Sequence, residues 1–178
     1  MANENKTQII VGFPGIGMSY FANHTNKYLE KSYIICDLNA ADYEREMDWP
    51  ANYIRAVVEA YLKGEYDFVF VGIEPEVRKA LQKRGIPYLI VAPYLYGLED
   101  NDENVGVMNV RLRDAYKRRW LNSGKSLKFI KEMSSNWGLL LRDLGKDDAA
   151  KIWLFDRYEA FGTILDLRGK WRQDDYTL

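Results

Sequence analysis

Gln8-Ile9-Ile10-Val11-Gly12-Phe13-Pro14-Gly15-Ile16-Gly17-Met18-Ser19-Tyr20-Phe21-Ala22 is the stretch on which the fold turns. Ile9, Ile10 and Val11 make a short uninterrupted β-branched run, the pattern of a parallel strand buried on both faces and so of a central strand. The run breaks at three glycines and a proline. Beyond them Phe21, Tyr28 and Leu29 share one helical face. The segment reads as strand, glycine loop, helix.

Working outward, Ser32 to Cys36 forms a second strand that runs into Asp37, and Pro50 suits the first turn of a helix carrying Tyr53, Ile54, Val57, Val58, Tyr61 and Leu62 on one stripe. Phe68 to Val71 is a third strand. Glu74-Pro75-Glu76 opens a short helix through Leu81 that Gly85 ends. Tyr88 to Val91 is a fourth strand and Lys151 to Phe155 a fifth. Between these last two lie an acidic loop, Glu99 to Asn104, a basic helical stretch, Arg111 to Arg119, and an amphipathic helix carrying Leu127, Ile130, Met133 and Trp137. The fragment Ser123-Gly124-Lys125-Ser126 follows no strand and reads as a helix start. Strands alternating with helices predict an α/β fold: a three-layer sandwich with a five-stranded, mainly parallel sheet and helices on both faces.

The 178 residues, 20.8 kDa, suit one domain spanning 1–178. With 47% apolar and 29% charged residues there is material for a core, which excludes wholesale disorder. Lys plus Arg number 25 against 26 Asp plus Glu, so the net charge of -1 exerts no global pull on nucleic acid or membrane. Any anion site must be local. A single cysteine, Cys36, and a single histidine, His24, exclude a disulfide framework and a Cys/His zinc cage within the chain. No apolar run approaches the ~20 residues needed to span a bilayer, and the polar start Met1 to Lys6 precedes no signal core. The expectation is a cytoplasmic protein.

Gly12 to Ser19 matches the phosphate-binding pattern G-x-x-x-x-G-K-[ST] everywhere except at the lysine, where Met18 stands. Glycines at 12, 15 and 17 let main-chain N–H groups turn inward, and the following helix start adds roughly half a positive charge, so polyphosphate can bind without a side-chain cation. Phosphate contacts are expected from Gly12, Pro14, Gly15, Ile16, Gly17, Met18, Ser19 and Tyr20. The Ser19 hydroxyl is placed to hold Mg²⁺ beside ATP or another nucleoside triphosphate. Loss of the lysine removes a stabiliser worth on the order of 3 to 4 kcal/mol to phosphoryl transfer. Met18 fits three origins: a non-catalytic nucleotide binder, a site that recruits another cation, or a deliberate lysine-to-methionine change.

Asp37 falls at the carboxyl end of the second strand, where open α/β sheets place ligand-contacting groups; it is a candidate to take the acceptor hydroxyl's proton, or else a turn former. Asp67 precedes its strand and is not placed to hold a metal. Glu74 and Arg78 are substrate candidates, set against a reading in which Glu74 favours a helix start and Arg78 pairs with a carboxylate. Arg111, Arg113, Lys117, Arg118 and Arg119 concentrate positive charge. Arg118 or Arg119 can meet the charge developing in transfer and Arg111 a substrate phosphate, while the bland alternative is a solvated basic helix. Tyr94, after the fourth strand, is placed to stack on a base.

Taken with Trp49-Pro50-Ala51-Asn52-Tyr53-Ile54, Glu76-Val77-Arg78, Gly85-Ile86-Pro87-Tyr88 and Ala115-Tyr116-Lys117-Arg118-Arg119, the glycine loop makes roughly residues 8 to 145 resemble the small P-loop proteins of phages and bacteria described as nucleotide kinases. The resemblance implies an adenylate-kinase-like P-loop NTPase sheet, a nucleoside or nucleotide acceptor, an arginine-bearing lid over about 94–125, and a phage-encoded protein of the host cytoplasm. Met18 and the acidic insertion after Pro93 depart from the family pattern. The leading expectation is a phosphotransferase of nucleoside/nucleotide kinase type, impaired by Met18, with a nucleotide and a small-molecule acceptor as partners. A non-catalytic nucleotide sensor or sequestering protein is the alternative. An end kinase for polynucleotides stands third, because the overall charge gives nucleic acid no support.

Overall fold

The computed structural model describes residues 6–28, 33–96, 105–155 and Phe161. Among them five strands, β1 (Gln8–Gly12), β2 (Ile35–Asp37), β3 (Phe68–Val71), β4 (Tyr88–Pro93) and β5 (Ala150–Leu154), form one sheet in the order β2-β3-β1-β4-β5. Every pairing is parallel: Ile10 lies opposite Phe70 and Leu89, Val69 opposite Cys36, and Ile90 opposite Lys151. The strand read as central from its β-branched run is the central one. Ile9, Ile10, Val11, Val69, Phe70, Ile90 and Val91 are all buried. Since successive side chains leave a strand on opposite faces, the sheet must be covered on both sides.

Among the described residues six α-helices connect and cover it: α1 (Met18–Tyr28), α2 (Ala51–Lys63), α3 (Pro75–Lys83), α4 (Val105–Asn122), α5 (Leu127–Ser135) and α6 (Trp137–Gly145). α2 buries Tyr53, Val57 and Ala60 with Ile54, Val58 and Tyr61 half-buried, but leaves Leu62 of the expected stripe exposed, because it lies half a helical circle from Tyr53; α3 buries Val77 and Leu81 at i, i+4. Such a layered α/β arrangement is compatible with a P-loop-like sandwich. No described helix is long and apolar enough to cross a membrane.

β4 runs on to Pro93 and α3 to Lys83, past the ends read from the sequence, and four further boundaries differ. β2 begins at Ile35, because Ile34 is held at the sheet edge by Asp67, whose carboxylate accepts from the Ile34 N–H at 2.8 Å. The fifth strand ends at Leu154 and leaves Phe155 half exposed. The basic stretch lies inside a longer helix, α4, whose buried Leu112, Tyr116 and Trp120 escape a reading by charge alone. The amphipathic stripe through Trp137 divides at Asn136 into α5, capped by the Ser126 hydroxyl, and α6. Leu29, the acidic loop Glu99 to Asn104 and the tail from Asp166 lie outside the described residues.

A polar cluster is buried where α3, α6 and the starts of β4 and β5 meet. The Arg78 side chain is 7% exposed and that of Asp147 2%, and they pair at 2.7 Å. Asp143 takes a second nitrogen of Arg78, and the Ile73 carbonyl accepts from its Nε at 3.1 Å. The Tyr88 hydroxyl donates to Asp147 at 2.8 Å, and the Ala149 amide at 3.0 Å. A charge this deep survives because each donor has an acceptor.

Candidate functional site

The chain leaves β1 toward β2 on one side of the sheet and leaves β4 toward β5 on the other, so the order reverses between β1 and β4. Open α/β sheets bind ligands at the carboxyl ends of strands flanking such a switch. The glycine loop lies there. The Phe13 N–H donates to the Val91 carbonyl at 2.9 Å, extending the β1–β4 ladder by one residue. The Phe13 ring is then packed edge-on against Tyr116 and Trp137, with centroids 5.9 and 5.3 Å away. Gly15 and Gly17 take φ of 90° and 91°, the left-handed region open to glycine.

The loop's carbonyls are committed outward. The Trp120 indole N–H donates to the Pro14 carbonyl at 2.9 Å, Arg119 Nη1 to the Gly15 carbonyl at 3.0 Å, and the Phe161 amide to the Ile16 carbonyl at 2.7 Å. Among the described residues, the N–H groups of Gly15, Gly17, Met18 and Ser19 make no hydrogen bond. What the loop retains for a ligand is donors, at the positive end of α1. Ser19 is exposed beside them, and so is Tyr20, whose ring stacks on His24 at 4.1 Å. Met18 is half-buried and folds back so that its thioether covers the Cα of Gly12.

α4 presses so closely on the loop that a Cβ at Gly15 would lie 2.8 Å from Trp120 Nε1 and 3.2 Å from Tyr116. Gly15→Ala is therefore expected to destabilise the protein by about 2 to 4 kcal/mol, combining left-handed strain of ~1 to 2 kcal/mol with displacement of α4. Gly124→Ala, also at positive φ (74°) but with open space around it, should show the strain alone. Urea denaturation of both variants measures the difference.

Helical phase sorts the cations of α4. Asn109, Arg113, Tyr116 and Trp120 fall within one narrow arc, whereas Arg111 and Arg118 fall nearly opposite and are exposed. Asn109 exchanges two hydrogen bonds with the backbone of Tyr96, at 3.0 and 2.7 Å, while Tyr116 and Trp120 pack on the loop. Arg113 lies about one helical turn from each of these anchorages, on the same face of α4. It is partly buried, its Nε is fully shielded, and among the described residues it has no acceptor. By charge alone Arg113 is one of several basic residues, and its phase relative to Tyr116 and Trp120 is the sequence signal that sets it apart. Arg119 is the expected arginine that does reach the loop, with its guanidinium 4.7 Å over the Tyr116 ring.

On the other side of the loop, Tyr53 ties the ends of β2 and β3 together. Its hydroxyl donates to the Leu38 carbonyl at 2.9 Å and accepts from the Gly72 N–H at 3.1 Å, and burial pushes its own ionisation far upward. Asp37 is exposed at the tip of β2. The Glu74 carboxylate folds over Gly72, with Oε2 shielded from water and unpartnered among the described residues. Burial raises its pKa, with Glu44 and Glu76 adding to the effect and its own amide and Arg78 opposing it.

Arg78, expected as a substrate contact, is instead occupied by Asp147, Asp143 and Ile73. Tyr94, expected to face a base, is packed on Phe155 at 4.6 Å and edge-on to Tyr96 at 5.0 Å. Among the described residues no group of three or more His, Cys, Asp or Glu side chains forms a cation cage. One hydroxyl, Ser19, does suit Mg²⁺ carried chiefly by phosphate oxygens and water.

Comparison with protein-family models, curated proteins and solved structures finds no match to this chain.

Proposed function

We propose that this chain binds a nucleoside triphosphate with Mg²⁺ in the manner of P-loop nucleoside and nucleotide kinases, with phosphoryl transfer held low by Met18. The observation that carries this reading is the loop's asymmetry: three consecutive carbonyls turned to α4 and Phe161, and four N–H groups left without acceptors among the described residues. Gly15 to Ser19 hold the phosphates, Ser19 holds the metal, and Arg119 and Arg113 approach from α4. In transfer, the acceptor oxygen bonds to the γ-phosphorus as the bridge to the β-phosphate breaks. The nucleoside diphosphate leaves, and the hydroxyl proton passes to Asp37 and then to water. Mg²⁺, when bound, neutralises charge on the β and γ phosphates.

A thermal-shift series of nucleoside triphosphates with and without Mg²⁺ tests binding. Stabilisation of ~2.7 kcal/mol is expected at a hundredfold excess over Kd, and flat melting curves across purines and pyrimidines would refute the reading. Arg113→Ala is expected to weaken triphosphate binding about tenfold or more, the worth of a charge-assisted hydrogen bond, whereas Arg118→Ala on the solvent face changes it little. Isothermal titration distinguishes the two.

The position of Met18 favours a second reading, in which the protein holds a nucleotide without turning it over. Its thioether covers Gly12, on the strand side of the loop, and brings no charge there.

A further inference from the structure

We infer that the solvent face of α4 and the turn joining it to α5 dock on the surface of an anionic lipid bilayer, with Leu121 and Leu127 entering the lipid and the flanking cations meeting its headgroups. This goes beyond the triphosphate reading and does not rest on it.

Charge in this chain is not spread evenly. From Arg111 to Lys131 there are eight Lys and Arg against a single acid, Asp114, within a chain of net charge -1. Arg113 and Arg119 belong to the packed side of α4, and Lys117 is paired with Asp114 at 3.3 Å. The other five, Arg111, Arg118, Lys125, Lys128 and Lys131, are exposed and have no acidic partner among the described residues. Their fields add within a Debye length of the surface and favour an anionic partner.

Scattered exposed aliphatic side chains need no explanation, but here they stand among the cations. Val107, Val110 and Leu121 fall with Arg111, Lys117 and Arg118 within one arc of about 120°, on the other side of α4 from buried Leu112, Tyr116 and Trp120. Leu121 is 54% exposed and Leu127 77%, at the two ends of a stretch in which every residue from Leu121 to Lys128 is exposed. The turn between them is fixed. The Gly124 N–H donates to the Leu121 carbonyl at 3.0 Å, the Lys125 N–H to the Trp120 carbonyl at 3.0 Å, and Ser126 caps α5. Trp120 and Phe129, packed edge to face at 5.8 Å, hold its ends on the core. Little conformational freedom is left to lose on docking.

The side chains also decide which anionic partner fits. Single-stranded nucleic acid is gripped by exposed aromatic rings between cations, whereas Tyr116 and Trp120 are buried and the exposed apolar groups of this face are aliphatic. Two copies joined through this face bring cation against cation. An anionic bilayer answers both features, since leucines gain by burial beneath the headgroups while Lys and Arg stems reach back to the phosphates. No described helix is long and apolar enough to cross, so the face lies on the bilayer.

The test is co-sedimentation of the whole chain with phosphatidylcholine vesicles, with and without ~30% phosphatidylglycerol. Binding to the anionic vesicles should be about tenfold or more tighter, and should weaken as salt rises from ~0.05 to ~0.5 M. Arg118→Gln, Lys128→Gln and Lys131→Gln together should weaken it about 100-fold, at roughly fivefold for each cation. Leu121→Gln with Leu127→Gln should weaken it about tenfold at every salt concentration. Lys79→Gln with Lys83→Gln, at exposed positions of α3, should leave it within about twofold. All of these side chains are exposed, and unchanged melting temperatures confirm that the variants fold. No binding to either vesicle, equal binding to both, or an anionic preference that either the cation or the leucine substitutions leave unchanged overturns the inference. So does binding of a single-stranded oligonucleotide without vesicle binding, which assigns the face to nucleic acid. Self-association that the leucine substitutions abolish, again without vesicle binding, assigns it to a second copy and overturns the inference equally.

Discussion

Met18→Lys should raise phosphoryl transfer by about 10²- to 10³-fold, the usual worth of one preorganised cation at a developing charge. The substitution suits the site sterically. Lysine and methionine are both unbranched, and a side chain already fits between the loop and Gly12. What changes is that an ammonium replaces a thioether near the phosphates. Release of inorganic phosphate from a labelled triphosphate, with water as the default acceptor, gives the readout whatever the true acceptor is. An unchanged rate with triphosphate binding intact would decide for the binding-only reading, since the missing charge would then not be what limits turnover.

Asp147→Ala is the other large effect expected, a loss of about 3 to 5 kcal/mol of stability, because it leaves the buried Arg78 guanidinium and the Tyr88 hydroxyl facing an empty place. Asp143→Ala removes the half-exposed partner of the same arginine and should cost about 1 kcal/mol or less. Chemical denaturation measures both. Replacing the pair together, Arg78→Met with Asp147→Leu, should recover much of the loss, since no charge is then left buried alone.

The pH dependence of this pair has a definite sign. Burial tends to raise the Asp147 pKa, but hydrogen bonds from Ala149, Arg78 and Tyr88 outweigh it and hold the carboxyl below the usual range. The unfolded chain therefore binds a proton at higher pH than the folded one does. The contribution of Asp147 to stability is complete above the ordinary aspartate range near ~3.9 and is lost as pH falls through the depressed folded value. Glu74 works in the opposite sense. Its raised pKa means that ionisation opposes folding, so stability falls as pH climbs from the ordinary glutamate range near ~4.3 through the folded value. Glu74→Gln should flatten that part of the profile and raise the melting temperature at neutral pH.

Much of the fold was legible because its signals are local. Ile9, Ile10 and Val11 declare a doubly buried strand, three glycines and a proline forbid its continuation, and the apolar stripes of α2 and α3 fall at helical spacing. The candidate site was only half legible. Gly12 to Ser19 could be picked out because a tight turn and a helix start leave a compositional trace. Arg78 could not be sorted from a ligand contact, since its partners Asp143 and Asp147 are more than sixty residues away. Arg113 was hidden for a related reason. Beside Arg111, Arg118 and Arg119 it looks like one more surface charge, and what marks it out is the face of α4 that Tyr116 and Trp120 bury.

The sequence by itself determined the alternation of elements, the centrality of β1, the glycine turn and the missing lysine, all of which follow from residue type and spacing within a few positions. Only the tertiary structure decided that the turn's carbonyls are spent on α4 and Phe161, that Arg113 of α4 is partly buried while Arg111 and Arg118 face solvent, and that the Glu74 carboxylate folds over Gly72, whose N–H donates to the Tyr53 hydroxyl. The reason is physical. Hydrogen bonds and desolvation depend on distances between groups far apart along the chain, and these are set when the helices pack on the sheet.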